Sequence, residues 1–207
     1  MRSEPVRSSR SFRSLFKAAA GGSSEAVGQL LETCRTYLAL IAAEELERDL
    51  RVKIAPSDLV QETFVVAQRE FARFDGNERD ALMAWLRGIL LNKLQEARRR
   101  FRARKRQIQR EVPLNGMKST ARQMRERASR AQSPSRHAAA REEADRISRA
   151  LSGLSPDYQL VIQLRNWKLL SFVEIGRQMG RTTGAARALW VRALEQLSKA
   201  LESRDGK

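Results

Sequence analysis

Cysteine and histidine are almost missing from this 207-residue sequence: Cys34 and His137 are the only ones. A lone cysteine excludes an intramolecular disulfide and makes a reducing cytoplasm the natural compartment. One Cys and one His cannot build a structural zinc site from those ligands, and no cofactor is implied. His137 sits in a polar stretch rich in Ser and Arg, and no Gly-rich loop suited to phosphates is present. No constellation for catalysis is legible, so the chain does not read as an enzyme. Long apolar runs are missing too. The best is Tyr37 to Ala43, far short of the ~18–20 residues of a membrane-spanning helix. Acidic residues are in deficit, 24 against 40 Lys plus Arg, for a formal charge of +16 and a pI near 11.2. That excess suits a polyanionic partner, nucleic acid or an anionic membrane surface.

What is present is helical periodicity. Stripes of the 3.6-residue type recur and alternation at period two is absent, so an all-α fold is expected. Two small helical domains joined by a flexible linker account for the composition. Residues 1–22 read as a flexible basic arm rather than a secretory signal, because Lys17 interrupts the apolar patch. Residues 23–106 form a dense helical block ending in RRRFRARKR. Residues 107–140, with Pro113, Asn115, Gly116 and Pro134, read as linker. Residues 141–203 form a second helical block, and 204–207 a frayed tail.

In the first block Ala26, Leu30, Leu31, Cys34, Leu38 and Ile41 fall at helical spacing, which makes Cys34 a small core residue. A helix from Asp58, with Ser57 as its N-cap, places Val60, Phe64, Ala67, Phe71 and Phe74 on one face and Asp58, Gln61, Glu62 and Arg69 on the other. Carboxylates early in a helix complement its dipole by about 0.3–1 kcal/mol. That explains Asp58 well and Glu62 only in part, so a docking face for a partner stands as the second reading. "DGNERD" is a loop. The next helix, from about Ala81, buries Leu82, Leu86, Leu90, Leu94, Ala97 and Phe101. Trp85, Asn92, Glu96 and Arg99 cluster beside that stripe, where the Trp either packs or stacks on an unpaired base. RRRFRARKR carries seven basic residues in nine, a density that favours phosphate contact over a merely solvated helix end.

The second block holds the most specific pattern. Ser155-Pro156-Asp157 starts a helix that continues toward Trp167. Ser171 and Glu174 form a capping box, with Leu170 and Ile175 as its hydrophobic staple. That short helix should end at Gly180. Thr182 or Thr183 then caps a longer helix with Ala186, Trp190, Ala193, Leu197 and Leu201 inward. This is a helix-turn-helix, which presents the start of its second helix to the major groove. Arg181, Arg187 and Arg192 lie at or beside that start.

"DLVQETF", then "WLRGILLNKL" and a basic stretch, then "LSPDYQLVIQLRNWKLLSFVEIGRQMG" resemble the sigma-70 family of RNA polymerase factors, in the compact form of the extracytoplasmic-function (ECF) group. "PSDLVQETF" and "ALWVRALEQL" are most similar to the planctomycete-type subfamily. The resemblance spans roughly residues 20 to 203. It implies a sigma factor for transcription initiation, with region 2 over 23–106 and region 4 over 141–203. Asp58, Gln61 and Glu62 would dock on the coiled coil of the polymerase β′ clamp, with the β subunit as a second contact. Asp75, Gly76, Asn77, Trp85, Asn92, Arg99 and Arg100 would serve the −10 element and its separated strand. Arg181, Thr182, Thr183, Arg187, Ala188 and Arg192 would serve the −35 element. Ala185, Ala188 and Leu189 depart from the polar residues common in that recognition helix, which implies sparse base readout. Promoter DNA and core polymerase are the implied partners, with an anti-sigma factor a further one. Two rivals remain: a helix-turn-helix regulator acting without polymerase, and a non-specific basic nucleic-acid binder.

Overall fold

The computed structural model describes residues 12–51, 53–110 and 134–203. Among them the chain is all-α, in two helical bundles. The first holds α1 (Phe12–Ala20), α2 (Ser24–Glu32), α3 (Arg35–Glu45), α4 (Arg48–Arg51), α5 (Pro56–Glu70) and α6 (Arg79–Arg110). The second holds α7 (Pro134–Ser152), α8 (Pro156–Ile162), a π-helical turn (Gln163–Trp167), α9 (Phe172–Gln178) and α10 (Thr183–Glu202).

The helix from Phe12 corrects the expectation of a flexible arm reaching residue 22. Leu15 and Ala19 are buried against α2, and the Phe16 ring meets Phe71 and Phe74 at 6.3 and 6.2 Å. Phe12, Leu15, Phe16 and Ala19 repeat at three and four residues, the spacing of a helix face. The linker boundaries also move: 107–110 belong to α6 and 134–140 to α7. Residues 1–11, 111–133 and 204–207, which carry the rest of the arm, most of the linker and the tail, lie outside the described residues.

Helix α3 is the centre. It contains the longest apolar run of the sequence, and Tyr37, Leu38, Leu40, Ile41, Ala42 and Ala43 are all buried. A helix that is apolar around most of its circumference must be covered on several sides. Here α5 and α6 cover it from the first bundle and α7 and α10 from the second. The stripes expected in α5 and α6 are core: Val60, Ala67, Leu82, Leu86, Leu90 and Leu94 are inaccessible, and Phe64 and Phe71 nearly so. Thr63 is buried among them and satisfies its hydroxyl on the Leu59 carbonyl at 2.7 Å, the usual bond of a helical threonine to the preceding turn.

Helix α5 starts two residues earlier than expected, at Pro56 rather than Asp58. Pro56 takes its first turn, where the missing N–H costs nothing, and Ala55 rather than Ser57 is the cap. Ser57 bonds instead to a distant carboxylate: its N–H and hydroxyl donate to Glu143 of α7 at 2.9 and 2.8 Å. An anion at this point complements both the helix dipole and an otherwise unpaired N–H.

Cys34 lies at the α2–α3 junction, fully buried. Burial pushes its thiol up to about 11 from 9.0, because the interior disfavours the thiolate. Since the thiolate is the nucleophile, native protein at pH 8 should resist iodoacetamide while guanidinium-unfolded protein reacts fully. Equal labelling rates by mass spectrometry in both states would contradict this core placement.

Candidate nucleic-acid interface

The helix-turn-helix forms as its local sequence dictates. Ser171 caps α9 by accepting from Glu174 N–H, and the Glu174 carboxylate accepts from Ser171 N–H and hydroxyl, both at 2.7 Å. Those bonds, the hydroxyl's first, hold the Glu174 carboxyl below its ordinary range. Gly180 takes the left-handed conformation at φ 64° just past the helix end, where a side chain would be strained. Thr182 then caps α10 by accepting from Ala185 N–H at 3.2 Å. Ala186, Trp190, Ala193 and Leu197 face inward.

The corner is closed by a backbone contact. Arg181 N–H donates to the Gly176 carbonyl at 2.7 Å. A Cβ at Gly176 would sit 2.7 Å from the Arg181 carbonyl oxygen and 3.2 Å from Thr182 C. Glycine is therefore required there by close approach.

The expected −35 residues share the exposed start of α10. Arg181, Thr182, Thr183, Arg187, Ala188 and Arg192 are all exposed, whereas Leu189 is buried and so belongs to the core rather than the reading face. Several of the polar groups are occupied. Thr182 serves as cap, Arg181 pairs with Asp157, and Arg192 Nε donates to the Ala188 carbonyl at 3.3 Å. Arg187 pairs with Asp80 of the first bundle at 3.2 Å. The exposed N–H groups at the start of α10 add a backbone surface suited to phosphate.

On the first bundle, Asp58, Gln61 and Glu62 are exposed along α5 and point away from the core. Val65, one turn further on, is 47% exposed. The acid and amide face is thus solvent-facing, with an apolar side chain at its end.

The expected −10 residues gather around an aromatic cluster. The Phe74 ring stacks on Trp85 at 4.9 Å, and Phe71 meets Trp85 edge-on at 6.3 Å. Trp85 is half-buried, so packing occupies one face of its ring. The Asp75–Asn77 loop lies over Phe74: a Cβ at Gly76 would fall 2.2 Å from Phe74 Cζ. Asp75 and Asn77 are exposed beside it. Asn92 and Arg99 follow Trp85 at intervals of seven residues on α6, about 10.5 Å apart along one stripe. Of the RRR triplet, Arg98 turns inward, donating to the Glu45 carbonyl at 2.8 Å and pairing with Glu47 at 3.1 Å. Arg99 and Arg100 remain exposed, as do Arg102, Arg104, Lys105 and Arg106 beyond Phe101. Sequence reasoning missed Asp80, Glu143 and Arg165, whose partners lie on distant segments.

Among the described residues no group of His, Cys, Asp and Glu is placed to hold a metal, and no helix is long and apolar enough to cross a membrane. Replacing Gly176→Val should lower stability by about 1–3 kcal/mol, the scale of overpacking against fixed atoms. Chemical denaturation measures it, and an unchanged midpoint would contradict the closed corner.

Comparison with known proteins bears on the second bundle first. Residues 150–199 match the family model described as Sigma-70, region 4. A chain of a solved structure described as the 1.8 Å structure of the RsbN–BldN complex is 22% identical, with 89% of this chain and 97% of that one covered. Its TM-score is 0.29, so the likeness carries no argument about fold or function. No curated protein matches the sequence. The matched region contains the capping box, the Gly176 corner and the start of α10 described above.

Proposed function

We propose that the chain is a sigma-type factor that binds core RNA polymerase and directs it to promoters, of the ECF group and of the planctomycete-type subfamily its sequence resembles. The observation that carries this reading is the match of residues 150–199 to Sigma-70 region 4, joined to a second surface that a plain DNA regulator has no use for. That surface is the exposed Asp58, Gln61 and Glu62 face of α5. A chain of charge +16 that keeps carboxylates together on the solvent face of α5 separates two tasks by sign in this reading. Its acid face suits a polymerase subunit, the β′ clamp coiled coil, and its basic faces suit DNA.

In this role the chain performs no chemistry of its own and needs no cofactor. The start of α10 would meet the −35 element, with Arg181, Thr183 and Arg187 at the groove and Arg192 on the backbone. Asp75, Gly76 and Asn77 would hold an unstacked base near the −10 element, and Asn92, Arg99 and Arg100 the separated strand beside Trp85. Base stacking contributes on the order of 1–3 kcal/mol per base, the size of the few kcal/mol needed to unstack one. The β subunit and an anti-sigma factor are the further partners of this reading, and the cytoplasm its compartment. The helix-turn-helix regulator acting alone is the competing assignment, and the α5 face separates the two.

A Gln61→Ala, Glu62→Ala double variant should bind core polymerase at least about ten-fold more weakly, equivalent to ~1.4 kcal/mol, while still shifting duplex DNA. Run-off transcription with purified core should then fall in parallel. Unchanged polymerase binding and promoter-dependent initiation would overturn the docking role. A wild-type chain that shifts DNA but neither binds core nor initiates would leave the regulator.

A further inference from the structure

Helix α10 presents an almost bare line along the start of its outer face. At ~100° per residue, Gly184, Ala188, Val191 and Glu195 fall within about 60° of one another around the helix. They stand opposite buried Ala186, Trp190, Ala193 and Leu197. Gly184 and Ala188 are exposed and Val191 is half-buried, so the first three members of the line carry no polar side chain. Glu195, the fourth, is on the order of 16 Å beyond Gly184 at ~1.5 Å per residue. Nothing in the fold calls for glycine at 184, where a Cβ would meet no atom within 4 Å.

The cations stand at the two edges of this line, Arg187 about 60° to one side of Gly184 and Arg192 about 80° to the other. Both are drawn back toward the protein. Arg187 pairs with Asp80 at 3.2 Å and lies over the Phe172 ring at 5.2 Å. Arg192 Nε donates to the Ala188 carbonyl, the backbone of the line itself. Ahead of the helix Thr182 serves as cap and Arg181 pairs with Asp157.

We propose that Ala188 is a specificity residue that reads the C5-methyl group of thymine, so that the duplex element under α10 is marked by thymine where the line from Gly184 to Val191 crosses it. The inference deepens the proposed role of α10 at the −35 element and rests on it. In the major groove every base offers hydrogen-bonding groups, and only thymine adds an apolar one, its methyl. A line without donors or acceptors leaves polar base edges desolvated and unpaired, which is unfavourable. Against a methyl group the same line excludes water from both partners. With only Gly184 and Ala188 in between, the backbone of α10 comes close to the base edges, while Arg187 reaches a flanking base and Arg192 the phosphates. Burial of one methyl group should contribute about four-fold in affinity, equivalent to ~0.8 kcal/mol.

The test replaces thymine by deoxyuridine, which removes the methyl and keeps the base pair. Randomised duplexes are selected by the full chain assembled with purified core polymerase and, separately, by the full chain alone. Footprinting then marks the block protected farthest upstream, which is resynthesised with deoxyuridine at one thymine at a time. At least one thymine should be fixed in that block, and its replacement should weaken binding about four-fold. Ala188→Gly should bind the thymine and deoxyuridine duplexes equally. The deoxyuridine series uses wild-type protein, so it decides the matter even where the variant does not fold. A block without a fixed thymine, or one that accepts deoxyuridine throughout without loss, overturns the methyl contact. A folded Ala188→Gly protein that keeps the four-fold preference overturns it as well. Run-off transcription on the same sites separates this inference from the reading it rests on. A chain that discriminates deoxyuridine but never initiates with core keeps the contact and removes the sigma-type reading. Initiation at discrete sites whose upstream block is indifferent to deoxyuridine keeps that reading and removes the contact.

Discussion

Trp190 is where the second bundle is tied together and where it meets the first. Its side chain is 1% exposed, and its indole N–H donates to Asn166 Oδ1 at 3.0 Å. Asn166 is itself fully buried in the π-helical turn. Phe172, at the start of α9, meets the indole edge-on at 5.7 Å, and Tyr37 of α3 does so from the other bundle. One side chain therefore fixes the turn after α8, the first helix of the helix-turn-helix and α10, on which it sits. A buried indole without an acceptor would bear the full desolvation cost of its N–H, so the π turn that delivers Asn166 is part of the same solution. Two residues past that turn Leu169 takes a positive φ of 57°, and the chain reverses into the Ser171 cap.

The distribution of charge follows from what the core leaves outside. Arginine dominates the exposed end of α6 and the start of α10, while the carboxylates are used at defined points. Glu174 caps α9, Glu143 meets the N-terminus of α5, and Glu45 and Glu47 draw Arg87 and Arg98 inward, respectively. Asp58 and Glu62 are among the exposed carboxylates that make no side-chain bond, and on α5 they share one solvent-facing stripe with Gln61. That clustering is what the proposed partner reading rests on.

Most of the local architecture was legible because it is written in short-range chemistry. The stripes Val60–Phe64–Ala67–Phe71 and Leu82–Leu86–Leu90–Leu94, the Ser171–Glu174 box, the Gly180 turn and the Thr182 cap are all decided within four or five residues. Ser57 has the local look of a cap, but its partner, Glu143, is 86 residues away. Still longer separations hide Asp80 from Arg187, 107 residues on, and Tyr37 from Trp190. Helix α1 carried a readable stripe, Phe12, Leu15, Phe16 and Ala19, but the basic residues between them suggested a solvated arm. The π turn carries no sequence signal of its own, since the bonds that hold it, from Trp190 and Arg87 to Asn166, come from distant segments. The sequence around Trp85 fits both packing and base stacking, and the Phe74 ring against it at 4.9 Å gives one of its faces to packing.

The measurement that bears most directly on the account is footprinting of a complex assembled from core polymerase, this chain and a promoter that it serves. A sigma-type factor predicts two separate protected blocks upstream of the start site, on the order of two helical turns of duplex or more between their centres. Both should depend on the chain and on core together. A single contiguous block that the chain produces alone, unchanged by core polymerase, would contradict the account and leave a DNA-binding protein of another kind.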